Sequence, residues 1–445
     1  MNDCDFSVDS QYLLDVMHAE LRMTVGCTDP SAIGLACAAA ADAYSSLKVS
    51  PRPILDLIAS VKVELDRNLF KNASSARIPG TGGKGIPLAI ALGILLHDTS
   101  MGLRMFNTLP DGLNELALDF IRQVPMQISV NDKAQGISIL ATIQWKDNTE
   151  TAALIRDKHD RIQWSSVDGE KTYFSTNESK NSSKERILPD LTGDITLSKL
   201  VVLVAEVSLD KLNLITQGFN TNLAAMGHGS DEVSLGSSNS ILIQQARIGV
   251  SDATKARMNG EDIAVMACGG SGNHGLTFFI TLWYGWKMSG ILPEHSLEHA
   301  ALLGIQILHS IKQETGVLTP MCGCAVSSAL AATAALTWGL GGDIYRMVQA
   351  MNIVFSTLGG VVCDGAKPAC SYKTSLSAQI AIEAARMAVS GVVIDTDEGL
   401  GADTFSGLLG IIRRVHLEGM KQFDSTMVSI IQARFSAKSN ACEMQ

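Results

Sequence analysis

Hydrophobic residues recur at helical spacing over most of the chain, and glycine-rich loops interrupt them. The spacing predicts two helices on either side of residues 26–30, where Thr28 or Asp29 can cap the second helix. A further helix is predicted over residues 87–96, and helical spacing resumes at residue 197. The sequence therefore predicts a mostly α-helical body whose glycine-rich loops lie at helix ends.

Between residues 126 and 164 the pattern changes to an alternation of apolar and polar positions. This alternation is typical of half-buried β-strands that pair in an antiparallel meander. The predicted strands are residues 126–130, 136–145, 151–156 and 161–164. We therefore expect a small α+β unit with an antiparallel sheet at residues 107–190. It is inserted into a large helical body formed by residues 1–106 and 191–445.

Composition and charge limit the classes of function. Hydrophobic residues make up 46% of the chain and charged residues 18%, so a large core can form. A formal net charge of −10 and the lack of a basic stripe argue against a nucleic-acid partner. The chain begins without the basic start and apolar run of a signal peptide, and we expect a cytoplasmic protein.

One uncharged stretch, residues 315–342, is long enough to span a bilayer, as a membrane transporter would require. The stretch contains Pro320 and seven glycines and serines, however. These residues favour a buried helix in a protein without membrane contact.

The chain has nine cysteines, and a reducing cytoplasm does not favour disulfides between them. Cys322 and Cys324 form a Cys-Gly-Cys motif, and Cys363 and Cys370 lie in one glycine-containing loop. Such clustering indicates an iron–sulfur cluster or a zinc site, although zinc usually takes Cys-x-x-Cys pairs, which this sequence lacks. Structural thiols are the third interpretation.

Cys27 lies directly before a predicted helix. The free N–H groups and the dipole at a helix start favour a thiolate at this position. Such a thiolate can act as a base or a nucleophile. The alternative is a buried thiol beside a helix cap.

Two glycine-rich loops suggest close approach to a small anionic ligand such as a carboxylate, although close helix packing also requires glycine. The loop at residues 80–85 lacks the spacing and the Ser/Thr of a nucleotide-binding P-loop. The loop at residues 270–275 matches Gly-x-Gly-x-x-Gly, but no βαβ pattern follows it. The side chains in these loops that can bind a substrate are Thr81, Lys84, Ser271, Asn273 and His274.

Five motifs occur in an order typical of one enzyme family. They are Gly26-Cys-Thr-Asp-Pro, Pro79-Gly-Thr-Gly, Gly270-Ser-Gly-Asn-His-Gly, Cys322-Gly-Cys-Ala and Val362-Cys-Asp-Gly-Ala-Lys. Through them the chain resembles the L-cysteine desulfidase family over nearly its full length. That family is grouped with a related uncharacterised family of similar length, and it is similar to the α part of iron–sulfur L-serine dehydratases.

The resemblance implies a [4Fe–4S] cluster held by Cys363, Cys370 and one cysteine of the 322/324 pair. It also implies that Cys27 removes the α-proton of L-cysteine while an open iron acts as a Lewis acid on the leaving sulfur. Sulfide, pyruvate and ammonia are the expected products. Pyridoxal phosphate (PLP) is not expected, because Lys367 and Lys373 have no phosphate loop or pyridinium partner nearby in the sequence.

Two alternatives stay open. The same elimination on L-serine or L-threonine would release water, and the sequence does not separate a carbon–sulfur lyase from such an ammonia-lyase. A non-catalytic sensor that binds a metal or a cluster is the other class, although no DNA- or partner-binding module is visible. We expect a homo-oligomer, most simply a dimer.

Two positions depart from the family pattern. His274 stands where many relatives carry glutamine. Cys442 lies in a polar tail that is longer than expected, and in related serine dehydratases a tail cysteine can cap the open iron at rest. A frayed tail is the alternative interpretation.

Overall fold

The computed structural model describes residues 9–44, 54–134, 136–174, 197–228, 239–288, 290–395 and 399–442. Within these ranges the fold is mostly α-helical with a small sheet unit, which confirms the predicted fold class. The helices are α1 Ser10–Glu20, α2 Thr28–Asp42, α3 Arg67–Ala73, α4 Ile86–Leu96, α5 Leu113–Gln123, α6 Leu197–Glu206, α7 Asn213–Ala224, α8 Asn239–Met258, α9 Gly272–Trp286, α10 Leu297–Thr315, α11 Val326–Gly339, α12 Ile344–Leu358, α13 Cys370–Val389, α14 Phe405–Arg414 and α15 Lys421–Cys442. The strands are β1 Arg22–Val25, β2 Ile58–Leu65, β3 Met126–Val130, β4 Ser138–Trp145, β5 Glu150–Arg156, β6 Ile162–Val167, β7 Glu170–Phe174 and β8 Ala264–Ala267.

The larger sheet has six strands in the order β3-β2-β4-β5-β6-β7. Strands β4, β5 and β6 form an antiparallel meander as predicted, and each begins within two residues of its expected start. Residues 126–130 form the predicted strand β3, but their expected place in this meander is wrong, because β3 pairs in parallel with β2. Strand β2 lies between β3 and β4, parallel to β3 and antiparallel to β4. The sheet therefore takes one strand from the chain before residue 107. The division at residues 107 and 190 stays a prediction, and residues 175–196 lie outside the described ranges.

The buried apolar residues form two main cores. In the first, α2, α4 and α5 pack against the sheet. Helices α2 and α4 approach closely because Gly93 faces the backbone of Gly34, where a Cβ atom would overlap the Gly34 carbonyl. The second core is larger and is formed by α1, α6, α7 and α9 to α14, with α10 and α11 buried along most of their lengths.

Two short backbone pairings bring glycine-rich loops together. Strand β1 pairs antiparallel with β8, which connects the start of α2 to the segment around α9. Met321 and Val362 form an isolated antiparallel bridge between the loops that precede α11 and α13. The loops before four helices therefore meet, as expected for loops at helix ends.

The uncharged stretch at residues 315–342 forms the end of α10, a loop and the buried helix α11. Among the residues that the structure describes, none of the helices has both the length and the apolar character needed to cross a bilayer.

Candidate functional site

A cavity of about 90 Å³ lies where the loops before α2, α9, α11 and α13 meet. Asn72 on α3, the turn between β5 and β6, and the end of α8 complete its wall. The cavity therefore takes side chains from elements of both cores. It also collects most of the residues that the sequence marked as chemically interesting.

Five cysteines line this cavity, and four of them come from two neighbouring segments and are free thiols: Cys322, Cys324, Cys363 and Cys370. Their two loops are joined by backbone hydrogen bonds, since the Cys322 N–H donates to Val361 O (2.8 Å) and the Cys363 N–H donates to Pro320 O (2.6 Å). The fold therefore brings together two cysteine pairs that lie about 40 residues apart in the sequence.

Burial raises the pKa values of Cys322, Cys324 and Cys370, and repulsion from the neighbouring thiolates raises them further. Burial is the main cause for Cys322, followed by the charges of the other three cysteines. The pKa of Cys324 rises to about 12, mainly by burial, while the Ser271 hydroxyl 3.6 Å from its sulfur lowers it. Thiolates at this site therefore require added positive charge, which a bound metal centre supplies.

Positive side chains lie near the cysteine loops. Burial lowers the pKa of Lys312 to about 8, although nearby thiolates raise it, and its Nζ donates to Val317 O (3.1 Å). Lys373 Nζ donates to Val362 O (2.7 Å) and pairs with Asp364 at 2.6 Å. Within the described ranges, no three His, Cys, Asp or Glu side chains are placed to hold a single metal ion.

Cys27 lies near the start of the sequence, far from these four cysteines, but it lines the same cavity. It is the N-cap residue of α2, its side chain makes no capping bond, and its Sγ lies 3.5 Å from Asp29 Oδ2. The helix start was expected to favour a thiolate. In the structure burial and the charge of Asp29 raise the pKa of Cys27, and these effects outweigh the opposing charge of Arg257.

Asp29 connects Cys27 to a residue that the sequence did not mark. Asp29 is only 5% exposed, and its Oδ1 lies 2.8 Å from His159 Nε2. Burial lowers the pKa of His159, but the hydrogen bond and charge of Asp29 outweigh burial and raise the pKa overall. No sequence motif contains His159, because it reaches Asp29 from the turn between β5 and β6, 130 residues further along the chain.

Arg257, near the end of α8, is a second residue that the sequence did not mark. It is 5% exposed and lines the cavity, and its guanidinium contributes to the electrostatics of Cys27. Its NH1 group donates to Asn273 Oδ1 (2.9 Å) and its NH2 group donates to Gly26 O (2.6 Å). Among the described residues these partners are neutral oxygens, and Nε has no partner. A buried guanidinium of this kind is suited to bind a carboxylate.

Three of the five predicted substrate-binding residues line the cavity: Ser271, Asn273 and His274. His274 is 2% exposed, neither ring nitrogen has a hydrogen-bond partner among the described residues, and burial with nearby positive charge lowers its pKa. Its ring fills the space beside Gly323, where a Cβ would lie 2.6 Å from Nε2. This contact explains the glycine between the two cysteines of the Cys-Gly-Cys motif.

Thr81 and Lys84 are not among the described residues that line the cavity. The Thr81 hydroxyl donates to Ile78 O (2.8 Å) and accepts from the Gly83 N–H (3.0 Å), which stabilises its own loop. Lys84 is exposed and its backbone bridges to Arg77. Of Cys442, only the backbone at the end of α15 is described, so a contact of its thiol with the cavity lies outside the described part.

Comparison with known proteins gives two kinds of match. Residues 150–429 match the sequence profile of a family described as serine dehydratase alpha chain. A UPF0597 protein of Fervidobacterium nodosum is 31% identical, covering 94% of this chain and 95% of the relative. A UPF0597 protein of Desulfotalea psychrophila is 29% identical over 94% of this chain and 98% of its own, and one of Clostridium botulinum is 26% identical over 95% and 96%.

Proposed function

Because the chain belongs to the family of serine dehydratase alpha chains, we propose that it is a lyase that eliminates the β-substituent of a small L-amino acid, with L-cysteine as the preferred substrate. One observation carries this proposal. Cys27, the candidate base, lines the same small cavity as Cys322, Cys324, Cys363 and Cys370. A proton acceptor and a set of soft metal ligands thus face the same cavity.

The four clustered cavity cysteines fit an iron–sulfur cluster in their chemistry. All four are free. Cys322, Cys324 and Cys363 lie in loops and Cys370 begins α13, with the positive charge of Lys312 near them. A cluster binds its cysteines through different irons, so it does not need three side chains around a single ion. When bound by Cys363, Cys370 and Cys322 or Cys324, a [4Fe–4S] cluster with an open iron supplies a Lewis acid for the leaving group, without PLP.

The chain's own residues would then bind the substrate and move its proton. The guanidinium of Arg257 binds the substrate carboxylate beside Asn273, which holds the α-carbon near Cys27. The Cys27 thiolate takes the α-proton, the C–H electrons form the Cα–Cβ double bond, and the β-sulfur leaves with its bonding electrons. The released aminoacrylate tautomerises and hydrolyses to pyruvate and ammonia.

Dehydration of L-serine or L-threonine is the second candidate function, and the description of the matching family favours it. The same residues would act, since only the leaving atom differs. Sulfur is the softer ligand for iron, which supports cysteine as the preferred substrate.

The test is an anaerobic purification followed by reconstitution with iron and sulfide. We expect the broad absorbance of an iron–sulfur protein and equal release of sulfide and pyruvate from L-cysteine. Pyruvate from L-serine alone would change the substrate and keep the mechanism. A protein that takes up no iron and forms no pyruvate from either amino acid would contradict the proposal.

Two cysteine variants test the role of Cys27 as the base separately from cluster binding. Cys27→Ala is expected to keep the cluster absorbance and to lose turnover by about a hundredfold or more, because only the proton acceptor is removed. Cys37→Ala is the matched control, since Cys37 lies on the same helix α2 but is buried in the core away from the cavity. A Cys27→Ala protein with normal turnover would exclude Cys27 as the base.

A further inference from the structure

Cys27, Asp29 and His159 form a continuous chain of polar side chains that leads out of the cavity. Cys27 Sγ lies 3.5 Å from one oxygen of Asp29, and His159 Nε2 lies 2.8 Å from the other oxygen. All three residues line the cavity wall. Cys27 and Asp29 lie at the start of α2, whereas His159 lies in the turn between β5 and β6.

Helix capping does not account for Asp29. The N-cap residue of α2 is Cys27, so Asp29 is not the capping residue. Both Asp29 oxygens instead contact Cys27 and His159, although the carboxylate is almost fully buried. Burial of a carboxylate destabilises the fold unless the carboxylate is paired. The protein therefore gives up stability to keep Asp29 in contact with the Cys27 thiol and the His159 imidazole.

We propose that Asp29 and His159 are positioning residues that carry the proton of Cys27 to and from solvent. The Cys27 S–H bond breaks, the proton passes to Asp29, and the proton on Asp29 passes to neutral His159, leaving a thiolate and an imidazolium. After the thiolate has taken the α-proton of the substrate, the same transfer restores it. This inference rests on the proposed role of Cys27 as the base.

The surroundings of these three side chains explain why the Cys27 proton needs an acceptor and why His159 can serve as one. Burial and Asp29 raise the pKa of the Cys27 thiol, and Arg257 is the positive group that opposes them. Burial lowers the pKa of His159, but the charges of Asp29, Asp66 and Asp160 outweigh it. The His159 side chain itself stays 12% exposed, so its imidazole can exchange its proton with water.

The experiment measures Cys27 reactivity and turnover in three full-length proteins: the wild type, His159→Gln and Asp29→Asn. Iodoacetamide alkylation of Cys27 is followed against pH by peptide mass spectrometry in anaerobically purified protein. His159→Gln is expected to slow alkylation about tenfold at neutral pH, because the amide retains the hydrogen bond to Asp29 but cannot accept the proton.

Asp29→Asn is expected to have opposite effects on the two measurements. Loss of the negative charge makes the Cys27 thiol easier to ionise, so alkylation speeds up, whereas turnover falls because the route to solvent is cut. In the wild type, kcat/KM is expected to rise with pH through the pKa of His159, and this limb should be missing in His159→Gln.

His309→Gln is the matched control. His309 Nδ1 forms a similarly buried pair with Glu20 (2.6 Å), and neither residue lines the cavity. The control is expected to lose stability to urea while keeping the pH dependence of Cys27 alkylation.

Unchanged alkylation profiles in His159→Gln and Asp29→Asn would overturn the proposed proton transfer through Asp29 and His159, even if the protein is an active lyase. An altered Cys27 profile in a protein without lyase activity would instead overturn the proposed function and leave the coupling of the three residues intact.

Discussion

One buried lysine in this molecule is paired with a carboxylate that lies far away in the sequence. Lys71 on α3 is 1% exposed, and its Nζ contacts Asp424 Oδ1 on α15 at 2.8 Å and Asn68 Oδ1 at 2.9 Å. Thr319 O, next to the cysteine loop before α11, is a third acceptor at 3.5 Å. This lysine therefore joins α15 to the region behind the cavity.

Lys71→Met is expected to destabilise the protein by about 3 kcal/mol, because Asp424 is left without its buried partner. Adding Asp424→Asn should recover part of this loss, since the unpaired carboxylate is then removed. Urea unfolding measures both effects. Arg67→Gln is the control, because the Arg67–Asp132 pair is exposed and its loss should cost less than about 1 kcal/mol. Equal losses of unfolding free energy in Lys71→Met and Arg67→Gln would contradict the expectation.

The residues of the site were predictable only in part. Cys322, Cys324, Cys363 and Cys370 stand out in the sequence because they are clustered, and Cys27 because it lies directly before a predicted helix. His159 and Arg257 carry no local signal, since each has a hydrogen-bond partner more than 100 residues away. The substrate-binding role of Thr81 and Lys84 stays a prediction: neither is among the described residues that line the cavity, and the Thr81 hydroxyl stabilises its own loop.

At the level of elements, periodicity predicted the long helices and the strands of the meander because burial of one face imposes it. Strands β1 and β8 have four residues each, which is too short for a pattern to emerge. Their pairing depends on contacts between distant parts of the chain. The parallel pairing of β2 with β3 was not predictable for the same reason, since α3, α4 and α5 lie between them in the sequence.

Two helical glycines offer a test of helix packing. Gly93→Ala on α4 is expected to destabilise the protein by about 2 kcal/mol, because the new methyl group overlaps the backbone of Gly34 on α2. Gly410→Ala on α14 has open space at its Cβ position and should stabilise the protein by about 0.5 kcal/mol through higher helix propensity. Thermal unfolding of both variants decides the matter, and a shift of the same sign in both would contradict this view of the α2–α4 contact.

At the scale of the whole molecule, the cavity depends on both hydrophobic cores. The cysteine loops belong to helices of the larger core, whereas Asn72 and His159 come from the unit that contains the sheet. Hydrophobic periodicity predicts which face of each helix or strand is buried. It does not predict which of these elements contact each other across the two cores. The family resemblance predicted which cysteines act together, whereas the residues from the sheet unit became visible only in three dimensions. The homodimer stays a prediction.

Removal of iron from the reconstituted protein is expected to loosen the two segments that carry the cysteines. Anaerobic chelation should increase amide hydrogen exchange in residues 317–325 and 361–371, because a ligand that binds only the folded state stabilises the segments that hold it. The strands β4 and β5 are the internal control and should keep their protection. Uniform loss of protection would indicate global unfolding, and an unchanged pattern would contradict the assignment of these loops as the ligand segments.

The position of the cavity residues along the chain has a consequence for how such proteins diverge. The four clustered cavity cysteines lie within residues 150–429, the part that the family profile spans, whereas Cys27 and Asp29 lie far before it. The proposed metal ligands and the proposed base therefore lie in separate stretches of the sequence, although His159 belongs to the same stretch as the ligands. A homologue recognised by its thiol-bearing stretch alone can retain the metal chemistry while having lost or exchanged the acid–base group, and its reactivity has to be judged from the other stretch.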